Sequence, residues 1–289
     1  MEILKVDNLC KDYPSFSLKN VSFSINSGEI LGFIGRNGAG KTTTLKSIMK
    51  LIHFDSGKII AFGKDMAMYE LENKQRIGFA LSELNYYPNR TIGQISKVMK
   101  RFYKDFDDKK YDQLCGLFNL DTKKKLQELS SGMKVKFQLA IALCHNAELL
   151  ILDEPTSGLD PISRDEVLDI FKKIVSNGDR AILFSTHITS DLDKCATNIT
   201  YIHDGVIQFT GTKKEFVGNY RYVPKQKVPT ELLSKFIFNK VDNYEFEGLI
   251  NREDEKAFVD AGVKVNEPDL EEIMVSLERS KDKHEEFTL

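Results

Sequence analysis

Apolar runs separated by polar turns open the chain, and this alternation predicts β-strands. The runs fall at residues 3–9, 18–25 and 30–34, and the last of them is typical of a strand buried on both faces. A glycine-rich turn and a helix from about residue 41 to 51 follow, with further strands predicted at 58–62 and 76–80. The first quarter of the chain therefore predicts a β-rich region interrupted by one helix.

From about residue 81 to 147 the apolar spacing becomes helical. Segments 91–103 and 108–118 are predicted to be amphipathic helices. A third helix is predicted to start near Ser130, with apolar residues at intervals of i, i+4, i+7, i+8 and i+11 counted from Met133, which places them on one helical face.

Strands and helices alternate again from residue 149. Strands are predicted at 149–152 and 181–184, helices at 161–175 and 189–195, and a hairpin at 198–203 and 206–210 around Asp204-Gly205. This order predicts an α/β fold whose central sheet is mostly parallel. After about residue 220 the pattern weakens, and Pro224 and Pro229 predict a linker. The rest is expected to be a small α+β appendage that ends in a charged helix, 269–283, interpreted as a solvated cap.

Composition excludes several classes of protein. Of the 289 residues, 41% are hydrophobic and 29% are charged, which is enough apolar surface for a core and excludes collagen-like and wholly disordered chains. The net charge of −2 gives no general field for nucleic acid. No run approaches the roughly 20 apolar residues that span a bilayer, and the first residues show no secretory signal. The spacing of the four cysteines fits no zinc or CxxC motif, so reduced thiols in a cytosolic protein are expected.

Residues 35–42, Gly-Arg-Asn-Gly-Ala-Gly-Lys-Thr, fit the phosphate-binding pattern G-x-x-x-x-G-K-[ST] between a buried strand and a helix. The glycines allow the backbone amides to surround phosphates. Lys41 can reach the β- and γ-phosphates, and Thr42 can offer its hydroxyl to Mg²⁺. The predicted nucleotide-binding residues of this glycine loop are Gly35, Asn37, Gly38, Gly40, Lys41, Thr42 and Thr43.

An apolar strand at 149–152 ends in Asp153 and Glu154. Ligands of open α/β sheets bind beyond the carboxyl ends of strands. Asp153 is therefore a candidate Mg²⁺ ligand, and Glu154 can polarise an attacking water. Solvated acids at a strand end are the alternative, but together with the glycine loop the pair indicates a nucleotide phosphohydrolase.

Three further segments narrow the class. Leu129-Ser130-Ser131-Gly132-Met133-Lys134 resembles the signature motif of the ABC ATPases, usually written LSGGQ. Residues 155–160, Pro-Thr-Ser-Gly-Leu-Asp, resemble the family's D-loop, and residues 184–187, Phe-Ser-Thr-His, are similar to its switch-histidine segment. All five elements occur in the family's order, and the resemblance covers about residues 1–220.

The resemblance implies that two such domains pair head to tail around two ATP molecules. Each ATP would lie between the glycine loop of one subunit and the signature of the other. Ser130 and Gly132, at a helix N-terminus, would then approach the γ-phosphate. Glu154 would act as the base, and His187 would hold the γ-phosphate and stabilise developing charge. Asp160 would organise the dimer interface, unless it only caps the helix that follows it.

Two positions bear on the nucleotide less directly. Tyr13 matches the family's aromatic adenine platform, although an aromatic residue in a strand usually packs in the core. Aligning residues 77–82 with the family's Q-loop strand places Ser82 where the family has Gln. Ser82 is then a predicted Mg²⁺ ligand with a shorter reach, and Glu83 is a neighbouring candidate. The signature also departs from the family pattern, at Ser131 and Met133.

The implied fold class is α/β: a P-loop ABC ATPase with a mostly parallel core sheet, an antiparallel β subdomain, a helical subdomain at about 82–147 and the C-terminal α+β appendage. The predicted domains are an ATPase domain, 1–220, and an accessory region, 221–289.

The implied function is that of the ATP-hydrolysing subunit of a membrane transporter, with ATP and Mg²⁺ as its ligands. Its partners would be a separate transmembrane permease and a second ATPase subunit, in a homo- or heterodimer on the inner face of the cell membrane. Residues 84–91, with Tyr86 and Tyr87, would receive the permease's coupling helix or simply pack the subdomain.

The short C-terminal extension and the Gly-Met-Lys signature resemble export systems, among them exporters of antimicrobial peptides and of phenol-soluble modulins. The alternative is a soluble ABC ATPase acting on nucleic acid or ribosomes. The single glycine loop, the absence of sustained heptads and the near-neutral charge disfavour it, and no nucleic-acid partner is expected. A catalytically inactive regulatory ATPase is also disfavoured, because Lys41, Asp153, Glu154 and His187 are all present.

Overall fold

The computed structural model describes residues 1–80 and 87–281. These residues form two compact units that divide between Thr210 and Gly211, whereas the domain boundary predicted from the sequence lies after residue 220. No helix among the described residues is both long and apolar enough to cross a membrane. All four cysteines are free thiols, and three of them are buried.

The first unit contains ten strands and seven helices among its described residues. In chain order they are β1 (Glu2–Tyr13), β2 (Phe16–Asn26), β3 (Ile30–Ile34), α1 (Lys41–Ile48), β4 (Ser56–Ala61), β5 (Lys64–Asp65), α2 (Glu70–Gln75), β6 (Ile77–Ala80), α3 (Ile92–Met99), α4 (Asp108–Leu117), α5 (Ser131–Cys144), β7 (Leu149–Asp153), α6 (Pro161–Val175), β8 (Ala181–Thr186), α7 (Thr189–Cys195), β9 (Asn198–His203) and β10 (Val206–Thr212).

Two sheets organise this unit. One is antiparallel, in the order β2-β1-β4-β5, and the other has the order β10-β9-β3-β8-β7-β6. In the second sheet β9, β3, β8, β7 and β6 pair in parallel. Every residue of β3, β7 and β8 is buried, as expected for parallel strands covered on both faces. The predicted α/β class, with its parallel core and antiparallel subdomain, is confirmed.

The parallel register brings the ends of three strands to one edge of the sheet. Ile34 at the end of β3 pairs with Thr186, and Asp153 at the end of β7 pairs with Ser185. The glycine loop, the acidic pair and the switch-histidine segment follow these strand ends directly. Sheet topology alone therefore gathers three motifs that are far apart in the sequence.

Six of the seven described helices of the first unit match helices predicted from the sequence, whereas α2 was not predicted. The bounds of α6 and α7 are those predicted, and Asp160 caps α6 with Pro161 in its first turn. Helix α5 instead buries Gly132 and nearly all of its second half, not a single face. A helix that is apolar all round is typical of a position inside the fold.

The second unit is a small α+β domain. Its elements are α8 (Lys213–Gly218), β11 (Tyr220–Gln226), β12 (Phe236–Asp242), β13 (Glu245–Asn251), α9 (Glu255–Asp260) and α10 (Leu270–Lys281). The strands form an antiparallel sheet in the order β11-β13-β12. Its core is built mainly from branched and aromatic side chains: Val223, Val228, Leu232, Phe236, Ile250, Phe258 and Val263.

Two expectations for this region are wrong. Residues 220–226 form strand β11, so the segment around Pro224 is not a linker. Pro224 lies between the pairs Val223–Gly248 and Gln226–Phe246, where the register is irregular, on an edge strand that tolerates a missing backbone donor. Helix α10 is not a solvated cap, because it buries Leu270, Ile273 and Met274 where it packs on β12 and β13.

Candidate functional site

The glycine loop lies between β3 and α1, and its backbone requires glycine. Gly38 has a φ of 85° and Gly40 a φ of 110°, values in the left-handed region that other residues rarely adopt. A Cβ atom on Gly35 would lie 2.3 Å from the carbonyl oxygen of Ile202. The loop therefore delivers its amides and the N-terminus of α1 to one place, which is the arrangement that binds phosphate groups.

Lys41, the first residue of α1, is folded back across this loop. Its Nζ donates hydrogen bonds to the carbonyl oxygens of Gly35, at 2.7 Å, and Arg36, at 3.1 Å. The same ammonium lies 3.4 Å from Glu154 Oε1, and the side chain is only 5% exposed. A buried positive charge is thus held at the loop by carbonyl groups and one carboxylate.

Asp153 is the buried acid of the site. Thr42 Oγ1 lies 2.9 and 3.1 Å from its two carboxylate oxygens, and Ser185 Oγ donates to Asp153 Oδ1 at 2.6 Å. Hydroxyl and carboxylate oxygens are the ligand types that Mg²⁺ prefers, so Thr42 and Asp153 fit the predicted metal. Ser82, the third predicted Mg²⁺ ligand, lies outside the described residues.

Glu154 bridges the lysine and the histidine. Its Oε2 lies 2.8 Å from His187 Nδ1, while Oε1 faces Lys41. Its backbone has a φ of 49°, an uncommon value for a residue with a side chain, and its amide donates to Ser185 Oγ at 3.0 Å. Strained backbone of this kind is often found where a side chain has to be aimed into a site.

These groups surround one cleft of about 340 Å³. Its lining includes most of the residues that the sequence assigns to this chain's half of the site: Asn37, Gly38, Gly40, Lys41, Thr42, Thr43, Asp153, Glu154 and His187. Ser157 of the D-loop segment also lines it. The structure therefore brings the phosphate loop, the acidic pair and the histidine into a single space.

The aromatic wall of this cleft is Phe16, which the sequence analysis did not select. A Cβ atom on Gly40 would lie 2.8 Å from the Phe16 ring. Tyr13 pairs with Phe16 across the β1–β2 turn, but it does not line the cleft and is 41% exposed, with the Lys11 ammonium 5.3 Å from its ring centroid. The sequence does contain a second aromatic residue, Phe16, three positions after Tyr13, and its presence in the same turn was the clue that could have identified it.

Ser130, Gly132 and Asp160 do not line this cleft. Ser130 caps α5, accepting from the Met133 amide at 3.3 Å, and a Cβ on Gly132 would lie 3.2 Å from Ser163 Cβ. Asp160 accepts from the amides of Ile162 and Ser163 at 3.1 and 3.0 Å. The Ser163 hydroxyl and amide hold the pKa of Asp160 below its usual value. The signature and D-loop thus sit on two neighbouring helix N-termini.

A buried carboxylate links the D-loop to the helix that follows His187. The Thr156 hydroxyl donates to Asp191 Oδ2 at 2.5 Å, and Arg164 Nε lies 3.9 Å from Asp191 Oδ1. Burial raises the pKa of Asp191 above its usual value, although Thr156 and Arg164 oppose this. No sequence pattern indicates this contact, because it joins residues 35 positions apart through tertiary packing.

A glycine loop between a buried strand and a helix, with an acidic pair on the second strand over in the same sheet, defines a P-loop nucleoside triphosphatase. The family model described as "ABC transporter" matches residues 18–157. The bacitracin transport ATP-binding protein BcrA of Bacillus licheniformis is 34% identical over 206 residues, which cover 70% of this chain and 67% of that protein.

The lantibiotic transport ATP-binding protein SrtF of Streptococcus pyogenes is 35% identical over 220 residues, covering 75% of this chain and 93% of that protein. A solved structure described as "Structure of ATP binding subunit of ABC transporter" matches with a TM-score of 0.66 and 26% identity over 74% of this chain and 91% of that chain. The chain belongs to the ABC transporter ATP-binding proteins, which hydrolyse ATP to power transport, and the resemblance drawn from its motifs is confirmed.

Proposed function

We propose that this chain drives an exporter as one half of a head-to-tail ATPase dimer, bound through a separate permease to the inner face of the cell membrane. The observation that carries the proposal is the Glu154 carboxylate, held between Lys41 and His187 at the cleft. A general base is thus placed beside a phosphate-binding lysine and the imidazole of a histidine.

Phosphate binding follows from the glycine loop. The loop amides and the N-terminus of α1 would hold the β- and γ-phosphates of ATP. Lys41, now 3.4 Å from Glu154 Oε1, would turn toward the γ-phosphate when that anion enters. Thr42 and Asp153 would hold Mg²⁺, which when bound neutralises charge on the β- and γ-phosphate oxygens.

Hydrolysis needs a base and a group that stabilises the transferred phosphoryl. Glu154 would accept the proton of the attacking water. His187 Nδ1 contacts Glu154, and its Nε2, which has no hydrogen-bond partner among residues 1–80 and 87–281, would face the γ-phosphate. The His187 ring would therefore orient Glu154 through one nitrogen and bind the γ-phosphate through the other.

The second subunit would complete the site. Ser130 and Gly132 lie at the N-terminus of α5, outside the cleft of their own chain, so a γ-phosphate in that cleft would meet the signature of a partner copy. Asp160 and Ser157 would lie near that interface. On the nucleotide side, the position of Phe16 in the cleft supports it as the adenine platform, with Tyr13 beside it at the hairpin tip.

The cargo is proposed from the relatives. Their names record transport of bacitracin and of a lantibiotic, which supports an antimicrobial compound, and within that class a peptide, as the exported substrate. The permease itself is best identified by copurification with the tagged ATPase from its own membrane.

The test of the dimer uses Glu154→Gln, which keeps the size of the side chain and removes the base. With ATP and Mg²⁺ its mass in light scattering should rise from 33.0 kDa to twice that value, because the sandwich forms and is not hydrolysed. The same variant carrying Lys41→Ala should stay monomeric. Monomer at saturating ATP in Glu154→Gln would count against the sandwich.

A further inference from the structure

A second cavity of the first unit has no part in the nucleotide site. It is a groove of about 460 Å³ between α4, α5 and α6, and it shares no lining residue with the ATP cleft. Its apolar lining comes from all three helices and the turn after α4: Leu114, Leu117, Phe118, Leu143, Ile170 and Ile174. Its volume falls within the range of sites that bind small molecules, roughly 300–1,000 Å³, and such sites are lined mainly by apolar side chains.

The charged residues around this groove are predominantly basic, in a chain whose net charge is −2. Lys110, Lys136, Lys173 and Arg180 line it, against the acids Glu166 and Asp169. Both acids are already neutralised: Glu166 pairs with Lys136, and Asp169 lies 3.0 Å from Lys172, which is not part of the lining. Lys110, Lys173 and Arg180 therefore remain as excess positive charge.

Among these charges, that of Lys110 gives the clearest evidence for an anion-binding position. It is half-buried, and its ammonium forms no ion pair or hydrogen bond with any residue of the described ranges 1–80 and 87–281. Burial and the positive charge of Arg180 lower its pKa, although Asp107 and Asp179 lie near enough to act in the opposite direction. A partly desolvated cation near a second cation is stabilised by an anion that binds between them.

We propose that this groove binds a small amphiphilic anion. Its apolar body would lie on Leu114, Ile170 and their neighbours, and its carboxylate, sulfonate or phosphate would lie between Lys110 and Arg180. Within the described part of the chain the Arg180 guanidinium donates one hydrogen bond, through Nη2 to Asn146 Oδ1 at 3.0 Å, and its other N–H groups can serve the anion.

A molecule bound in the groove would affect the ATPase through helices α5 and α6. Helices α5 and α6 line the groove with residues beyond their first turns, and their N-caps are Ser130 and Asp160. An anion that bridges α4, α5 and α6 would restrain the helical region relative to the D-loop helix. Occupancy would therefore change how readily the signature and D-loop reach a partner subunit.

Binding is tested on the full-length subunit without ATP, so that a failed ATPase dimer does not affect the outcome. The probe is decanoate, and its cationic counterpart is decyltrimethylammonium. Methyl NMR of the isoleucine and leucine side chains locates the probe, and calorimetry measures affinity. Decanoate should shift the methyl signals of Leu114, Ile170 and Ile174, and the cation should bind at least about fivefold more weakly.

Two matched pairs of variants test the two parts of the site. Lys110→Gln should weaken decanoate binding by about five- to tenfold, the loss of one charge-assisted contact, whereas Lys109→Gln on the same helix, exposed and outside the lining, should not. Leu117→Gln should also weaken binding, and the control Leu71→Gln should not. Leu117 and Leu71 are 72% and 83% exposed, so neither substitution removes core packing.

The proposal would be overturned by shifts confined to methyl groups elsewhere, by equal affinity for the cationic probe, or by Lys110→Gln with wild-type affinity. If the groove methyl signals shift with protein concentration in the absence of decanoate, the groove is a contact between copies of this chain, and the proposal is likewise wrong.

Discussion

Ser185→Ala is the substitution whose cost the structure defines most closely. The Ser185 side chain is fully buried, and its hydroxyl donates to Asp153 Oδ1 at 2.6 Å while it accepts from the Glu154 amide at 3.0 Å. Alanine keeps the strand and removes only this hydroxyl. The change therefore isolates a single contact to the acid that would hold Mg²⁺.

The size of the expected loss in stability depends on which hydrogen-bonding groups still have a partner after the substitution. The Glu154 amide retains the Ser185 carbonyl oxygen at 3.2 Å, so only Asp153 loses a partner. A hydrogen bond to a charged group contributes about 1.5–3 kcal/mol. Because Asp153 is 3% exposed, water does not replace the missing donor, and we expect the free energy of unfolding to fall by about 1.5–3 kcal/mol.

Urea unfolding followed by far-UV circular dichroism measures this change, since the chain has no tryptophan. The matched control is Ser176→Ala, an exposed serine whose hydroxyl donates to the Lys173 carbonyl oxygen at 2.9 Å. It should change stability by less than about 0.5 kcal/mol. If both variants lose the same small amount, Ser185 does not support the Asp153 carboxylate and the reasoning is refuted.

Three further predictions rest on other parts of the molecule. Because burial raises the pKa of Asp191, its ionisation opposes folding: its contribution to stability is complete below the ordinary Asp value of about 3.9 and is lost as pH rises from there through the raised value. As pH rises from acid to neutral, the free energy of unfolding measured with urea should therefore fall less for Asp191→Asn than for the wild type. An unchanged pH dependence would contradict this. Phe16→Ala should weaken ATP binding about tenfold in calorimetry, and more than Tyr13→Ala does; the reverse order would assign the platform to Tyr13. A fragment ending at Thr212 should bind ATP with unchanged affinity, because every residue lining the cleft lies between positions 16 and 187; a folded fragment without ATP affinity would show that the second unit helps to form the site.

The sequence predicted the parts of the site that local rules determine. The glycine loop follows from a motif with fixed spacing, and α6 begins where Asp160 and Pro161 supply a cap and a first turn. Asp153 and Lys41 share a cleft because parallel strands end at one edge of a sheet. None of these positions depends on how distant side chains pack.

The contacts that the sequence did not predict depend on tertiary packing. Ser185 reaches Asp153 only because β7 and β8 pair in register, and Asp191 of α7 contacts Thr156 of the D-loop segment, 35 positions earlier. The choice between Tyr13 and Phe16 depends on the geometry of a hairpin turn. The prediction of a linker at Pro224 was wrong because proline is tolerated on an edge strand. That β11 is an edge strand follows from the strand order, which the sequence does not show.

The central claim, that each ATP site is shared by two chains, is tested most directly by mixing two inactive variants. Lys41→Ala removes the phosphate-binding lysine. Ser130→Asp keeps a helix cap but places a negative charge where the γ-phosphate would lie. In a head-to-tail mixed dimer one of the two sites is intact, so mixing equal amounts should restore hydrolysis to about one quarter of the wild-type rate. If each site belongs to a single chain, Ser130→Asp, whose substitution lies outside its own cleft, should stay active alone, and mixing it with Lys41→Ala should add nothing.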